Sequence, residues 1–402
     1  MAKAIPTEWN TDDYIFLQTL NSHLIYNTFE VEDIFINEQF SMAFFYNGDY
    51  QRAEYMESKV LQTCKDTFGD NDVMTTHGMV NIANIYIEQS RWKEAEELLL
   101  QALALLKEEL GDEYPDTFTL KAMTILANTY QKQSRWKEAE ELELQVLALQ
   151  RRASGEEDHD ALQVMSNLAE TYNHQGRWNE AEELQLQVLA AWKRELGEEH
   201  PHVLVVMSNL AHVYLEQERW NEAEKLQFQV CALEKKVLGD EHYNISESMA
   251  NLAIIYLKQS KWKEAEELEL QVLALQKKLL GEEHPKTLER MRILAGIYQK
   301  QSRWNKAEEL QLQVLALWKK VSGENPLDTL LAMAYLTETY KNQGKWNELE
   351  ELRPQFLELW EKGLEEENIY ILEITNRHTN RGKRVRAASV DIMERNVRRR
   401  TF

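Results

Sequence analysis

Between residues 201 and 239 apolar side chains return at every third or fourth position, twice in succession. The stretch VLVVMSNLAHVYLEQ sets Val203, Val206, Leu210, Val213 and Tyr214 on one stripe, and WNEAEKLQFQVCALEKKVL does the same with Trp220, Ala223, Leu226, Val230, Leu233 and Val237. Such spacing is the apolar face of an amphipathic helix; a half-buried strand would alternate strictly. Only Glu218-Arg219 separates the two stretches, which is too short for anything but an antiparallel helix pair. The unit recurs: Trp92, Trp136, Trp178, Trp220, Trp262, Trp304 and Trp346 follow one another at intervals of 44, 42, 42, 42, 42 and 42 residues, and Tyr50 holds the same place 42 residues before Trp92. A small residue stands three positions after most of them (Ala95, Ala139, Ala181, Ala223, Ala265, Ala307), so the Trp column is expected to be core, a large side chain facing a small one at fixed pitch. One supersecondary unit is being reused, and the predicted class is all-α, a right-handed α-solenoid of about eight helical hairpins.

Punctuation supports these boundaries. Glycines close the units at Gly69, Gly111, Gly155, Gly197, Gly239, Gly281 and Gly323, and Pro115, Pro201 and Pro285 open the next leading helix, where a missing N–H costs nothing. Trailing helices begin KEAEE or NEAEE and end in Arg151-Arg152, Lys193-Arg194, Lys235-Lys236, Lys277-Lys278 and Lys319-Lys320, each sign opposite the helix-dipole end it meets. The 44-residue step predicts two extra residues in the leading helix between Gly111 and Trp136 or in its entry turn.

The pattern N-L-A-x-x-Y-x-x-Q-x-x-W-x-E-A-E-x-L, read from Asn209 onward and closing on Gly239, resembles the 42-residue tetratricopeptide repeat of the kinesin-light-chain type, over about residues 32–363. That family includes many scaffold and receptor proteins, so the resemblance implies the fold more narrowly than the function. It also implies that the first helix of each repeat lines a concave groove and that the Asn of N-L-A contacts a bound extended peptide. This Asn is kept at Asn81, Asn167, Asn209 and Asn251 and replaced by Ile125, Ile293 and Tyr335; three positions on, the same face carries Asn84, Asn128, Glu170, His212, Ile254, Gly296 and Glu338. A carboxamide both donates and accepts, which suits a peptide backbone leaving water, and equally suits a bridge between stacked helices. Neither the heptad coiled coil of kinesin light chains nor a nucleotide-binding module occurs in the chain. A clamp for acidic chaperone tails needs paired bases on this face, and the central repeat offers Val205, Ser208, Asn209 and His212 instead.

Organisation follows from the repeat: divergent capping helices and the first leading helix over 1–48, rich in aromatics such as Phe35, Phe40 and Phe44; the repeat array over 49–363; a short capping helix over 364–375; and a basic, disordered tail over 376–402. Leu349 and Pro354 in the last trailing helix predict relaxed packing there. Net charge is −22, divided between +7 in residues 376–402 and −29 in the rest. An acidic array repels nucleic acid and anionic membranes and steers basic peptides toward itself. No run approaches 18 apolar residues, and Cys64 and Cys231 lie four repeats apart, out of reach of one another, so a reducing, cytoplasmic setting is expected. In the tail, Arg384-Val385-Arg386-Ala387-Ala388-Ser389 has a spacing accepted by basophilic kinases, making Ser389 a candidate phosphosite.

Enzymatic chemistry has little support. The recurring turns with His200, His242 and His284, and His159 and Tyr114 in related places, are a repeat spacing of about 8–10 Å apart or more, too far to converge on one metal ion. Those imidazoles are read as bonding nearby backbone. Glutamate pairs such as Glu96-Glu97 are read as helix-start charges on a solvated face, and no phosphate loop or nucleophile elbow is present. The expectation is a non-enzymatic scaffold without cofactor or metal, holding a partner peptide or protein segment in the groove. The alternative is a sensor array that recognises a folded partner or its own copies, which an exposed apolar patch on the convex side would favour.

Overall fold

The structure, a computed structural model, describes residues 34–46, 49–110, 117–155, 158–239, 242–321 and 327–365. They form sixteen helices and, among the described residues, no strand. In chain order these are α1 (Ile34–Tyr46), α2 (Tyr50–Phe68), α3 (Val73–Glu88), α4 (Trp92–Leu110), α5 (Thr117–Lys132), α6 (Trp136–Ser154), α7 (His159–His174), α8 (Trp178–Leu196), α9 (Pro201–Glu216), α10 (Trp220–Leu238), α11 (Tyr243–Lys258), α12 (Trp262–Leu280), α13 (Pro285–Lys300), α14 (Trp304–Val321), α15 (Leu327–Gln343) and α16 (Trp346–Glu365). The helices group into two compact units, Met1–Gln217 with α1 to α9 and Glu218–Phe402 with α10 to α16. In each unit every helix packs on its chain neighbour, the odd-numbered helices leading and the even-numbered trailing.

α5 has 16 residues, as α3, α7, α9, α11 and α13 do, and starts 19 positions before its Trp, as α9 does. The two extra residues of the 44-residue step therefore lie in the connection before α5. Between leading and trailing helix the chain turns through a left-handed residue: Ser90, Ser134, Glu218, Ser260 and Ser302 have φ of 58° to 62°, and Gly176 and Gly344 occupy the same place. The imidazoles of the inter-repeat turns are N-caps: Nδ1 of His200, His242 and His284 accepts from the backbone N–H two residues ahead, at 3.2 to 3.3 Å. α16 runs without interruption through Pro354. The helix expected over 364–375 (apart from its first two residues, which end α16), the tail with Ser389, and residues 1–33 lie outside the described residues.

Two features of the packing differ from expectation. The Trp column is not core: Trp346 is 62% exposed, Trp178 and Trp220 are exposed as well, and Trp92, Trp136, Trp262 and Trp304 are half-buried. Each of these Trp residues is the first of its helix, where the side chain projects past the helix end; the small residue one turn on faces the leading helix. Ala95, Ala139, Ala181, Ala223, Ala265 and Ala307 are accordingly all fully buried, and Val237, near a helix end, is exposed. Cys64 and Cys231 are buried free thiols.

The second feature is a polar clamp repeated between neighbouring hairpins. Gln175 Nε2 donates to Glu140 Oε2 at 2.8 Å and to the Trp136 carbonyl at 3.2 Å; Arg177 Nη1 reaches Glu140 Oε1 at 2.6 Å and Gln175 Oε1 at 3.0 Å, with its guanidinium 3.9 Å from the Tyr172 ring centroid. Glu54 with Gln89 and Arg91, Glu96 with Gln133 and Arg135, Glu224 with Gln259 and Lys261, and Glu266 with Gln301 and Arg303 repeat it. Glu96, read as solvated from the sequence, is thus a structural acceptor beside an exposed Glu97. Removing Glu140 takes away the carboxylate that both Arg177 Nη1 and Gln175 Nε2 share in a half-buried site, so Glu140→Ala is expected to lower stability by about 2 kcal/mol in chemical denaturation. Glu180→Ala, which removes the exposed partner of the same Arg177, should change little.

Candidate functional site

Leading helices present to solvent the residues that vary. On the first unit one row is Asn81, Ile125, Asn167 and Asn209, all half-buried, and a second is Asn84, Asn128, Glu170 and His212, half-buried to exposed. Asn251, exposed on α11, belongs to the second unit with Ile293 and Tyr335. Helical geometry explains the rows: positions three and four apart share a face, and the constant repeat length carries each position to the matching level of the next leading helix.

The candidate residues are not equally available. Asn81 Nδ2 donates to Glu57 Oε1 at 2.9 Å and ties α3 to α2, a scaffold role. Asn167 Oδ1 accepts from Gln163 on its own helix at 3.1 Å, which orients the carboxamide while leaving its N–H groups pointing elsewhere. His212 Nδ1 lies 2.8 Å from Asn173 Nδ2, joining α9 to α7, so the ring accepts there in its Nε2–H form. His77 stacks on Phe118 between α3 and α5 at 3.7 Å. In the second unit Arg292 pairs with Glu289 and lies 5.0 Å from the Tyr335 ring centroid.

Behind this face, within each unit, lies a recurring buried polar position. Seven residues after Tyr50 and after every Trp except Trp346, where the exposed Arg353 stands, come Glu57, Leu99, Glu143 and Gln185 in the first unit and Gln227, Glu269 and Gln311 in the second, each at most 3% exposed. Glu143 accepts from Gln131 Nε2 at 2.9 Å and from Thr171 Oγ1 at 2.8 Å, linking three helices. Burial pushes its carboxyl up to about 8 against the Thr171 bond, with Glu170 and Glu140 adding to the rise. Glu57 is pushed up to about 7 by burial, against bonds from Asn81 and Ser41. Glu269 also rises to about 7, burial outweighing nearby Arg290. The readable signal is a Glu or Gln in the otherwise apolar stripe, one heptad after Tyr50 and after five of the seven Trp residues. For the clamps it is a Gln-x-Arg or Gln-x-Lys recurring 35 and 37 residues after a Glu.

Trailing helices carry an exposed apolar row: Leu100, Leu144 and Leu186 on the first unit, Phe228, Leu270 and Leu312 on the second, each at least 43% exposed. Between α4, α5 and α6 a cleft of about 550 Å³ is lined by Leu103, Leu106, Met123, Leu126, Leu142 and Leu149, together with Lys107, Glu141 and Gln145. Among the described residues no group of His, Cys, Asp and Glu is placed to hold a metal ion, and no helix is long and apolar enough to cross a membrane.

The tetratricopeptide repeat family pattern matches residues 35–108, 72–152, 160–233 and 244–320. The chain belongs to the tetratricopeptide repeat family. A crystal structure of a Podosopora anserina protein described as a kinesin light chain with nearly identical TPR-like repeats is 36% identical, over 50% of this chain and 96% of that one, at a TM-score of 0.45. The apo quorum sensor NprR from B. thuringiensis is 14% identical over 87% of this chain and 93% of its own, at a TM-score of 0.57. A Rap protein complexed with Competence and Sporulation Factor is 13% identical over 88% and 94%, at 0.55. At that identity the last two share the helical-repeat fold. Comparison with curated protein sequences finds no match to this chain.

Proposed function

We propose that this tetratricopeptide repeat protein is a non-enzymatic scaffold whose leading-helix face holds an extended, basic segment of a partner protein. One observation carries the reading: within the first unit, Asn84, Asn128, Asn167 and Asn209 stand half-exposed on successive leading helices, while the trailing helices repeat a constant frame. Asn84 and Asn128 lie in one row and Asn167 and Asn209 in the adjacent one; carboxamides spread along such a face can satisfy the donors and acceptors of a peptide backbone, and a binding face distinguishes itself by variation on a fixed support. Glu88, Asp160, Glu170 and Glu216 on the same helices, against Lys121 and Lys132, favour a basic ligand. A Rap protein of the same fold is known in complex with Competence and Sporulation Factor, which supports ligand binding as a use of this architecture.

An array of extended peptides graded in net charge tests the reading. Basic peptides are expected to bind, and Asn128→Ala with Asn167→Ala and Asn209→Ala should weaken binding about tenfold while leaving the melting temperature nearly unchanged. Absence of binding across the array, or binding indifferent to the three substitutions, overturns it.

A further inference from the structure

The outer stripe of the trailing helices has a symmetry in its apolar positions that the helix dipole, which accounts for the order of its charges, does not require. On α6 it reads Glu141, Leu144, Ala148, Arg151, and on α8 Glu183, Leu186, Ala190, Lys193. All are exposed except Lys193, which is half-buried. The mean position of Glu141 and Arg151 is 146, and that of Leu144 and Ala148 is also 146; on α8 both means are 188. Reversing the helix about its midpoint therefore exchanges acid with base and large with small. Glu97, Leu100, Ala104 and Lys107 give α4 the same order about 102.

We propose that this face of the first unit is the interface of a homodimer, with a two-fold axis running along the row of trailing helices at the level of residues 102, 146 and 188. Each of α4, α6 and α8 then lies antiparallel to its own counterpart in a second copy. Leu144 meets Ala148 of the other chain, and Leu186 meets Ala190, so a side chain fills the space above a methyl group instead of colliding with a second leucine. Acid and base of each helix are 10 residues apart, about 15 Å along the axis, and each falls opposite the other's counterpart. Present contacts do not compete strongly: Lys193 reaches the exposed Glu198 at 3.2 Å, and Gln187 Nε2 donates to Glu183 at 3.4 Å. An isologous two-fold contact demands this kind of self-complementary patch, and an exposed row of large apolar side chains on a charged protein is what such a contact covers. The occupant is thus a second copy and not a separate apolar partner, because the charges on either side of the apolar band are complementary to the chain's own pattern.

Analytical ultracentrifugation and light scattering on the full chain test the proposal. Parent protein should sediment as a dimer of the 47.4 kDa chain and weaken with salt. Glu141→Lys with Glu183→Lys places base opposite base and should yield monomer, as should Arg151→Glu with Lys193→Glu. Mixing those two variants should produce a heterodimer, since every pair across the axis is again opposite in sign, and all four substitutions in one chain should restore the homodimer. Unchanged helical circular dichroism in each variant separates loss of contact from loss of fold. A parent that is monomeric at every accessible concentration, or variants that fail to recover on mixing, overturns the axis proposed; peptide binding by the leading helices should be indifferent to all of them.

Discussion

Trp192→Ala is expected to lose about 3–5 kcal/mol of stability, whereas Trp178→Ala, at the first residue of the same trailing helix, should lose far less. Both are tryptophans of α8, and only environment separates them. Trp192 is 1% exposed, the largest of the fully buried side chains, and Trp178 is 38% exposed. The indole of Trp192 stacks on His159 at 5.6 Å and contacts His202 at 5.2 Å, so it fastens the start of α7 to the start of α9. Truncation removes the transfer free energy of a large aromatic and leaves a cavity that two helix starts cannot readily fill. Because each repeat rests on its neighbours alone, hydrogen exchange should show the loss concentrated in α7 to α9. Equal losses for the two tryptophans would return the Trp178 column to the core.

Raising pH from about 5 to about 8 should weaken the first unit, and Glu143→Gln should abolish part of that dependence. A carboxyl pushed up to about 8 in the folded protein stays protonated through a range where the unfolded chain, with an ordinary glutamate near 4.5, has released its proton. In that window the folded state binds more protons, so stability falls as pH rises and levels off above the folded value. The stabilisation is complete below about pH 4.5 and is lost toward about pH 8; Glu57 acts in the same direction up to about 7. Over the interval the effect of Glu143 is on the order of 3–4 kcal/mol. Gln is the natural substitute, since Gln185, Gln227 and Gln311 stand at this position elsewhere and Thr339 donates to Gln311 at 2.7 Å as Thr171 does to Glu143. Melting curves should show the variant more stable near pH 8 and nearly level with the parent near pH 5. A variant less stable at both values would make the carboxylate a stabilising group.

Legibility differed between fold and site for physical reasons. Helix boundaries were visible because glycine, proline and charge mark helix ends locally, and the 16-residue leading and 19-residue trailing helices recur at fixed intervals. Burial was misread at the tryptophans because periodicity places a residue on a face but does not say that the first residue of a helix projects beyond it. The carboxyl column escaped notice for a related reason: Glu143 belongs to a run of glutamates, and only the register of α6 against α5 and α7 shows that it points inward while Glu141 and Glu138 do not. Asn81 and Asn209 are indistinguishable in the repeat pattern, yet Glu57, on the neighbouring helix, engages the first.

The clamp has a consequence for how such a chain changes its length. Each Glu is closed by a Gln and a base 35 and 37 residues later, so every junction is written with the same letters. Removal of residues 262–303, one full period, deletes Glu266 together with its partners Gln301 and Arg303, and leaves Glu224 with Gln259 and Lys261, and Glu308 with Lys345, still matched. Duplication of the same segment adds a closed junction without opening another. A gene encoding this array can therefore gain or lose whole periods by recombination between its own repeats, at no cost in orphaned clamp groups, and the number of repeats becomes a heritable variable separate from the chemistry of their exposed faces.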